Sequence, residues 1–219
     1  MPVRRADGGP ARAPGLRRAL SLPLTRNARH SRSDRGSPLL EDIRAYCRRD
    51  PALYGVRVAE VFLYPGLWAL WGHRVAHLLH RARIPFLPRL LSQVMRFVTG
   101  IEIHPGAVVG RRLFIDHGAG VVVGETARIG DDVTMYHQVT LGGRGWRRDA
   151  KGSRRHPEVG DRVTLGVGAT VLGPVRIGED AEIGAMALIV SDVPAGARMR
   201  APAAEIVPDS FPQNAGARK

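Results

Sequence analysis

From Ile103 onward the chain repeats itself every six residues, and that period excludes most folds before any other property is considered. Aliphatic side chains recur at Val159, Leu165, Val171, Ile177, Ile183 and Ile189. Four residues after each stands a small or β-branched one: Val163, Ala169, Val175, Ala181, Ala187 and Val193. The same phase runs earlier through Ile103, Val109 and Ile115, slips by two residues, and resumes at Val123, Ile129, Met135 and Leu141. An α-helix repeats every 3.6 residues and a flat strand every 2, so a period of six fits neither. It is the mark of a parallel β-helix. Three hexapeptides close one triangular coil, with the aliphatic position facing inward and the small residue where the wall turns. The expected fold is mainly β, a left-handed parallel β-helix over residues 101–207. Glycines after the aliphatic position, as in Ile129-Gly130, Leu165-Gly166, Ile177-Gly178 and Ile183-Gly184, are expected to supply turn conformations that a Cβ hinders. An aromatic content of 5% fits a core built from Val, Ile, Leu and Ala.

Ahead of the repeat, residues 37–100 read as a small helical region. Ser37-Pro38 is a helix start, with Ser able to cap free amides and Pro tolerated at the first position. That helix is expected to end near Asp50, before Pro51. A second stretch runs from Gly66 to about Arg83 and a third from Leu87 to Phe97, after the breakers Pro85 and Pro88. His73 and His77 share one helical face, but no glutamate stands between them as in the zinc-protease motif, and no third ligand is evident. They are expected to be packing residues.

The formal charge of +13 raises the question of nucleic acid, which its location answers. Residues 1–36 hold nine arginines against Asp7 and Asp34, which is +7 of the total. That stretch has no apolar period and reads as a disordered basic tail, as residues 208–219 read as a C-terminal tail. No aromatic-interleaved basic motif accompanies the charge, so no nucleic-acid partner is expected. The lone Cys47 allows no intrachain disulfide and fits a reducing cytosol. No apolar run approaches the ~18 residues a membrane span needs, so a cytoplasmic protein with no membrane partner is expected.

Two interruptions break the repeat, and loops that leave a solenoid often serve binding. One is the slip at Asp116-His117-Gly118-Ala119-Gly120; the other is the Arg- and Gly-rich stretch from Gly143 to Pro157. His117 is a candidate general base, beside Asp116 and one coil beyond Glu102, because a carboxylate that orients an imidazole stabilises its cationic form. His156 is a second candidate. Arg155 is suited to grip a carboxylate with two parallel hydrogen bonds, and Gly142-Gly143 offers backbone amides for an oxyanion.

Taken together, Thr140-Leu141-Gly142-Gly143, Ile115-Asp116-His117, Arg155-His156-Pro157, Asp50-Pro51-Ala52, Ile103-His104-Pro105 and Val123-Gly124-Glu125-Thr126 resemble bacterial serine O-acetyltransferases over about residues 38–207. The resemblance implies transfer of acetyl from acetyl-CoA to L-serine, giving O-acetyl-L-serine for cysteine biosynthesis, with no metal. It implies that His117 is the general base, that Glu102 pairs with it, and that Asp50 and Asp116 bind the serine ammonium. Arg155 and His156 would lie on the carboxylate side, and the Gly143 amide would face the thioester oxygen. The coenzyme would run along Gly142, Gly143, Ala169, Met186 and Ala187. The family's helical segment mediates assembly, and its active sites lie between subunits, so a homotrimer or dimer of trimers is implied.

The chain departs from the family pattern at three places. The Gly143–His156 stretch is long and basic, Met186 stands where Gly is common, and Arg200-Ala201-Pro202-Ala203 replaces a Gly-Val-Pro-Ala turn. The terminal Ile that docks some relatives into cysteine synthase is missing, so that complex is not expected. Three other readings stay open: a different hydroxyl acceptor, a metal hydrolyase using His104, His117, His137 and His156, and an inactive scaffold.

Overall fold

A computed structural model describes residues 37–50, 58–145 and 153–205. The two tails read from the sequence, residues 1–36 and 208–219, lie outside the described residues, as does 146–152 of the long loop. Short parallel strands stack in three sheets that form the walls of a left-handed β-helical prism. One wall holds Glu102–Ile103, Val122–Val123, Thr140–Gly142, Thr170–Leu172 and Leu188–Ile189. The second holds Val108–Val109, Arg128–Ile129, Glu158–Val159 and Arg176–Ile177, and the third Phe114–Ile115, Thr134–Met135, Thr164–Leu165, Glu182–Ile183 and Arg198–Met199.

The strand register measures each interruption. Val122 pairs with Thr140 and Thr170 with Leu188, eighteen residues apart, which is three hexapeptides per coil. Glu102 pairs with Val122, a step of twenty that contains the slip at His117. Thr140 pairs with Thr170, a step of thirty that contains the long loop. The coils on either side stay in register, so both excursions leave the core undisturbed.

That core is the aliphatic ladder read from the sequence. Val159, Leu165, Val171, Ile177, Ile183 and Ile189 are buried, and so are all six small partners from Val163 to Val193. The glycines of the repeat serve a different purpose from the one expected. Gly130, Gly166, Gly178 and Gly184 do not have positive φ; a Cβ at Gly166 would lie 2.7 Å from the Ala185 nitrogen, and one at Gly178 2.3 Å from the Ala195 nitrogen. Close approach of the next coil excludes a side chain there. The left-handed residues come two positions later, at Asp132, Gly168, Asp180 and Met186.

Three helices precede the prism: α1 (Pro38–Arg49), α2 (Pro65–Arg81) and α3 (Leu87–Thr99), with a 3-10 helix at Val58–Leu63 that the sequence did not announce. Ser37 makes no side-chain cap on α1; instead Glu41, in the first turn, accepts from Arg111 at 2.7 Å and Arg112 at 3.1 Å. Tyr46 of α1 is fully buried, packs edge-on against Phe114, and accepts the Ile115 amide proton at 3.2 Å. Ala69 and Leu70 of α2 join the core beneath Ile101 and Ile103, closing the first coil. His73 is buried with its ring 5.7 Å from His77, whose Nδ1 lies 2.8 Å from the Pro105 carbonyl. Both histidines sit in the packing between α2 and the prism.

Candidate active site

The slip in the repeat throws His117 outward. Two consecutive left-handed residues, His117 at φ +59° and Gly118 at φ +72°, turn the chain away from the wall. Gly118 has no substitute there, because a Cβ would meet Ile101 Cδ1 at 2.4 Å. Histidine is among the residues that tolerate this conformation best. Its side chain is 75% exposed, and Nε2 lies 3.8 Å from Asp116 Oδ1, close enough for attraction but beyond a hydrogen bond. The His137 ring stands edge-on to it at 5.9 Å.

A second carboxylate reaches the same corner from the helices. Asp50 is the C-cap of α1, and its position is set by the residue before it. Arg49 donates to the carbonyls of Arg112, Asp132 and Val133 and to Asp132 Oδ1, clamping the end of α1 onto the third wall. The Tyr64 hydroxyl donates to Asp50 Oδ2. Burial, this hydrogen bond and the charges of Asp50 and Asp116 push the Tyr64 phenol up to about 12. Two carboxylates, a tyrosine hydroxyl and an exposed imidazole thus gather at one corner. No sequence pattern marks Tyr64, whose partner lies fourteen residues away.

His156 occupies a different corner, where the long loop rejoins the prism. Its Nδ1 accepts the Thr126 amide proton at 3.1 Å, and its ring covers Gly124 so closely that a Cβ there would lie 2.2 Å from Nε2. Burial and the neighbouring Arg155 charge hold its pKa below the usual histidine value, with Glu125 opposing. The imidazole is therefore neutral at pH 7. Because a backbone N–H can only donate, the ring proton sits on Nε2, which points toward Gly143. The Arg155 guanidinium donates to Glu125 at 2.6 Å. The Gly143 amide has no hydrogen-bond acceptor among the described residues, and so is available to an oxyanion.

One chain does not join these two corners. The wall between them, residues 121–124, spans about 13 Å at ~3.3 Å per extended residue. Asp50, Asp116 and His117 sit on one side; Gly142, Gly143, Arg155 and His156 on the other. The four histidines of the metal reading divide likewise, His117 and His137 on the first corner, His104 and His156 near the second. Among the described residues no group of three or more His, Cys, Asp or Glu is arranged to hold a metal ion.

Three expectations need correction. Glu102 does not pair with His117: Arg89 at 3.1 Å and Arg96 at 3.2 Å, both from α3, take its carboxylate. A neutral imidazole competes poorly with two guanidinium charges. Ala169 and Ala187 occupy the inward, small position of the repeat, so their side chains are buried. Their amides donate to the carbonyls of Gly166 and Gly184, and their carbonyls accept from the neighbouring coils. The outward positions on that corner are one residue earlier, at the half-buried Gly168 and the exposed Met186. Met186 is 69% exposed at φ +60°, with its sulfur lying over Gly168.

The sequence and the fold both have counterparts among known proteins. The family model for bacterial transferase hexapeptide (six repeats) matches residues 156–191. A serine acetyltransferase of Mycobacterium tuberculosis is 50% identical over 175 residues, covering 80% of this chain and 74% of the relative. Among solved structures, the Neisseria gonorrhoeae serine acetyltransferase in complex with serine superposes with a TM-score of 0.67 at 38% identity, over 73% of this chain and 64% of that one. The Brucella abortus serine acetyltransferase in complex with coenzyme A gives 0.67 at 36% identity, over 72% and 61%. The chain therefore spans somewhat under two thirds of those solved chains. With half of the 175 aligned residues identical along most of the mycobacterial enzyme, and the hexapeptide prism intact, the chain belongs to the serine acetyltransferase family.

Proposed function

We propose that the chain transfers acetyl from acetyl-CoA to the hydroxyl of L-serine, releasing O-acetyl-L-serine and the free thiol of coenzyme A. The observation that carries this reading is the gathering of Asp50 and Asp116 beside an exposed His117. A zwitterionic amino acid with a hydroxyl suits that corner: two carboxylates take its ammonium and an imidazole meets its hydroxyl. Arg155 and the Nε2–H of His156 complement its carboxylate.

In this mechanism His117 takes the hydroxyl proton as the serine oxygen attacks the thioester carbonyl carbon. The Gly143 amide donates to the oxyanion that develops. Asp116, 3.8 Å from His117 Nε2, stabilises the imidazolium. When the carbon–sulfur bond breaks, the imidazolium returns its proton to the departing thiolate. Glu102, engaged by two arginines, stands outside this proton path.

Because the two corners are apart in one chain, the reading requires a neighbour to supply the second half of each site. A homotrimer or dimer of trimers does this. Exposed apolar side chains along the first wall and the helices, such as Leu188, Val190, Leu90 and Phe97, support such an assembly. A cytoplasmic location, drawn from the lone Cys47, belongs to the same reading. No helix among the described residues is long and apolar enough to cross a membrane.

Thiol release from acetyl-CoA, followed against a panel of acceptors, tests the proposal. Release that depends on L-serine is expected. Brisk turnover of a sugar hydroxyl with none of serine overturns it.

A further inference from the structure

Thr126 sits between the two side chains assigned to the substrate carboxylate, and both its hydroxyl and its backbone N–H are used on that segment. Its hydroxyl oxygen accepts the amide protons of Arg155 at 2.9 Å and His156 at 3.1 Å. Those two bonds occupy both lone pairs, so the remaining hydroxyl proton is directed at the nearest acceptor, His156 Nδ1 at 2.8 Å. Its backbone N–H points at the same nitrogen from 3.1 Å. Two donors on Nδ1 exclude a proton there.

We infer that Thr126 is a positioning residue: it fixes His156 in the tautomer that carries its proton on Nε2, and pins the Arg155-His156 backbone so that both donors face the carboxylate of the acceptor. The inference rests on the serine reading for the identity of the ligand, and on geometry alone for the tautomer. With the proton on Nδ1 instead, Nε2 would turn a lone pair toward a carboxylate and repel it. Thr126 holds Arg155 and His156 beside Arg154, which donates to Glu158 and to the Pro174 carbonyl. No other side chain among the described residues hydrogen-bonds to the His156 ring.

The test uses the full-length chain and two variants. Thr126→Val keeps the shape and the backbone donor but removes the hydroxyl; Thr126→Ser keeps the hydroxyl. In wild type, imidazole nitrogen-15 spectra, with His156 assigned by its loss in His156→Asn, are expected to show the proton on Nε2. In Thr126→Val the two nitrogens are expected to move toward each other as the tautomers mix. The serine KM should rise about tenfold, the equivalent of one hydrogen bond, while the acetyl-CoA KM stays within about twofold. Thr126→Ser should return the serine KM to within about threefold of wild type on the same hydrogen-bond argument. A wild-type proton on Nδ1, an unchanged serine KM in Thr126→Val, or a Ser variant no better than Val overturns the inference. Should Thr126→Val fail to fold, the wild-type spectrum and the Ser variant still decide it. If wild type shows no serine-dependent turnover, the functional reading fails while the nitrogen pattern still judges the role of Thr126.

Discussion

Two corners of the prism need the same backbone conformation and meet the need in opposite ways. Between the second and third walls, left-handed residues stack in a column: Arg112, Asp132, Arg162, Asp180 and Gly196. Between the third and first walls a matching column holds Gly120, Gln138, Gly168 and Met186. A left-handed non-glycine residue costs about 1–2 kcal/mol. The first column offsets this with alternating charge: Arg112 meets Asp132 at 2.7 Å and Arg162 meets Asp180 at 2.7 Å, while Arg162 also acts on Asp132. The second column carries no charge, relies on glycine at two positions, and stays open beside His117. One corner uses its side chains to hold coils together; the other carries no such ion pairs.

Removing a carboxylate from the charged column should break this contrast most. Asp132→Ala takes away the carboxylate that Arg112 and Arg49 share, leaving Arg112 with Glu41 and Asp131. The expected loss is about 1–2 kcal/mol in urea unfolding, short of the 3–5 of a fully buried pair because a third of the carboxylate side chain meets water. The deficit should itself depend on pH. The hydrogen bond from Arg112, with the charges of Arg112, Arg49 and Arg162, holds the Asp132 carboxyl below its ordinary value. Its contribution is therefore complete above ~3.9, the unfolded value, and fades as the pH falls through the folded one. Wild type and variant should converge in acid; a gap that persists there would assign the stability to something other than this charge.

A smaller effect is expected on the open column. Met186→Gly relieves a left-handed side chain that is largely in solvent, but gives the unfolded chain more freedom. A net gain of less than about 1 kcal/mol is expected by thermal unfolding. A clear loss would mean that the Met186 contact with Gly168 holds the corner closed, contrary to the contrast drawn above.

How much of this was legible in the sequence follows the same division. The interior was readable because a period of six leaves an aliphatic side chain nowhere else to go, and every inward position from Val159 to Val193 is buried as read. The break at His117 was readable too, since a two-residue slip has to leave the wall. Roles set by contact across coils were not. The glycine after each aliphatic residue looked like a turn residue, yet what excludes a Cβ is the next coil's backbone. The coenzyme role implied for Ala169 and Ala187 conflicts with the repeat itself, which places both side chains inside. Glu102 went to Arg89 and Arg96 because α3 lies across the first strand, which no local pattern announces. Thr126 lies thirty residues from His156 in sequence, so only folding reveals what its hydroxyl does.

The central claim is that the outward imidazole of His117, beside Asp116 and Asp50, is the base that activates the acceptor hydroxyl. Its most direct test is serine-dependent thiol release from acetyl-CoA by the His117→Ala protein, with thermal unfolding measured on the same preparation. Turnover at least about a hundredfold below wild type, the scale of general-base catalysis, with unfolding unchanged, is the result this account predicts. Turnover near the wild-type rate in a folded His117→Ala protein would contradict it.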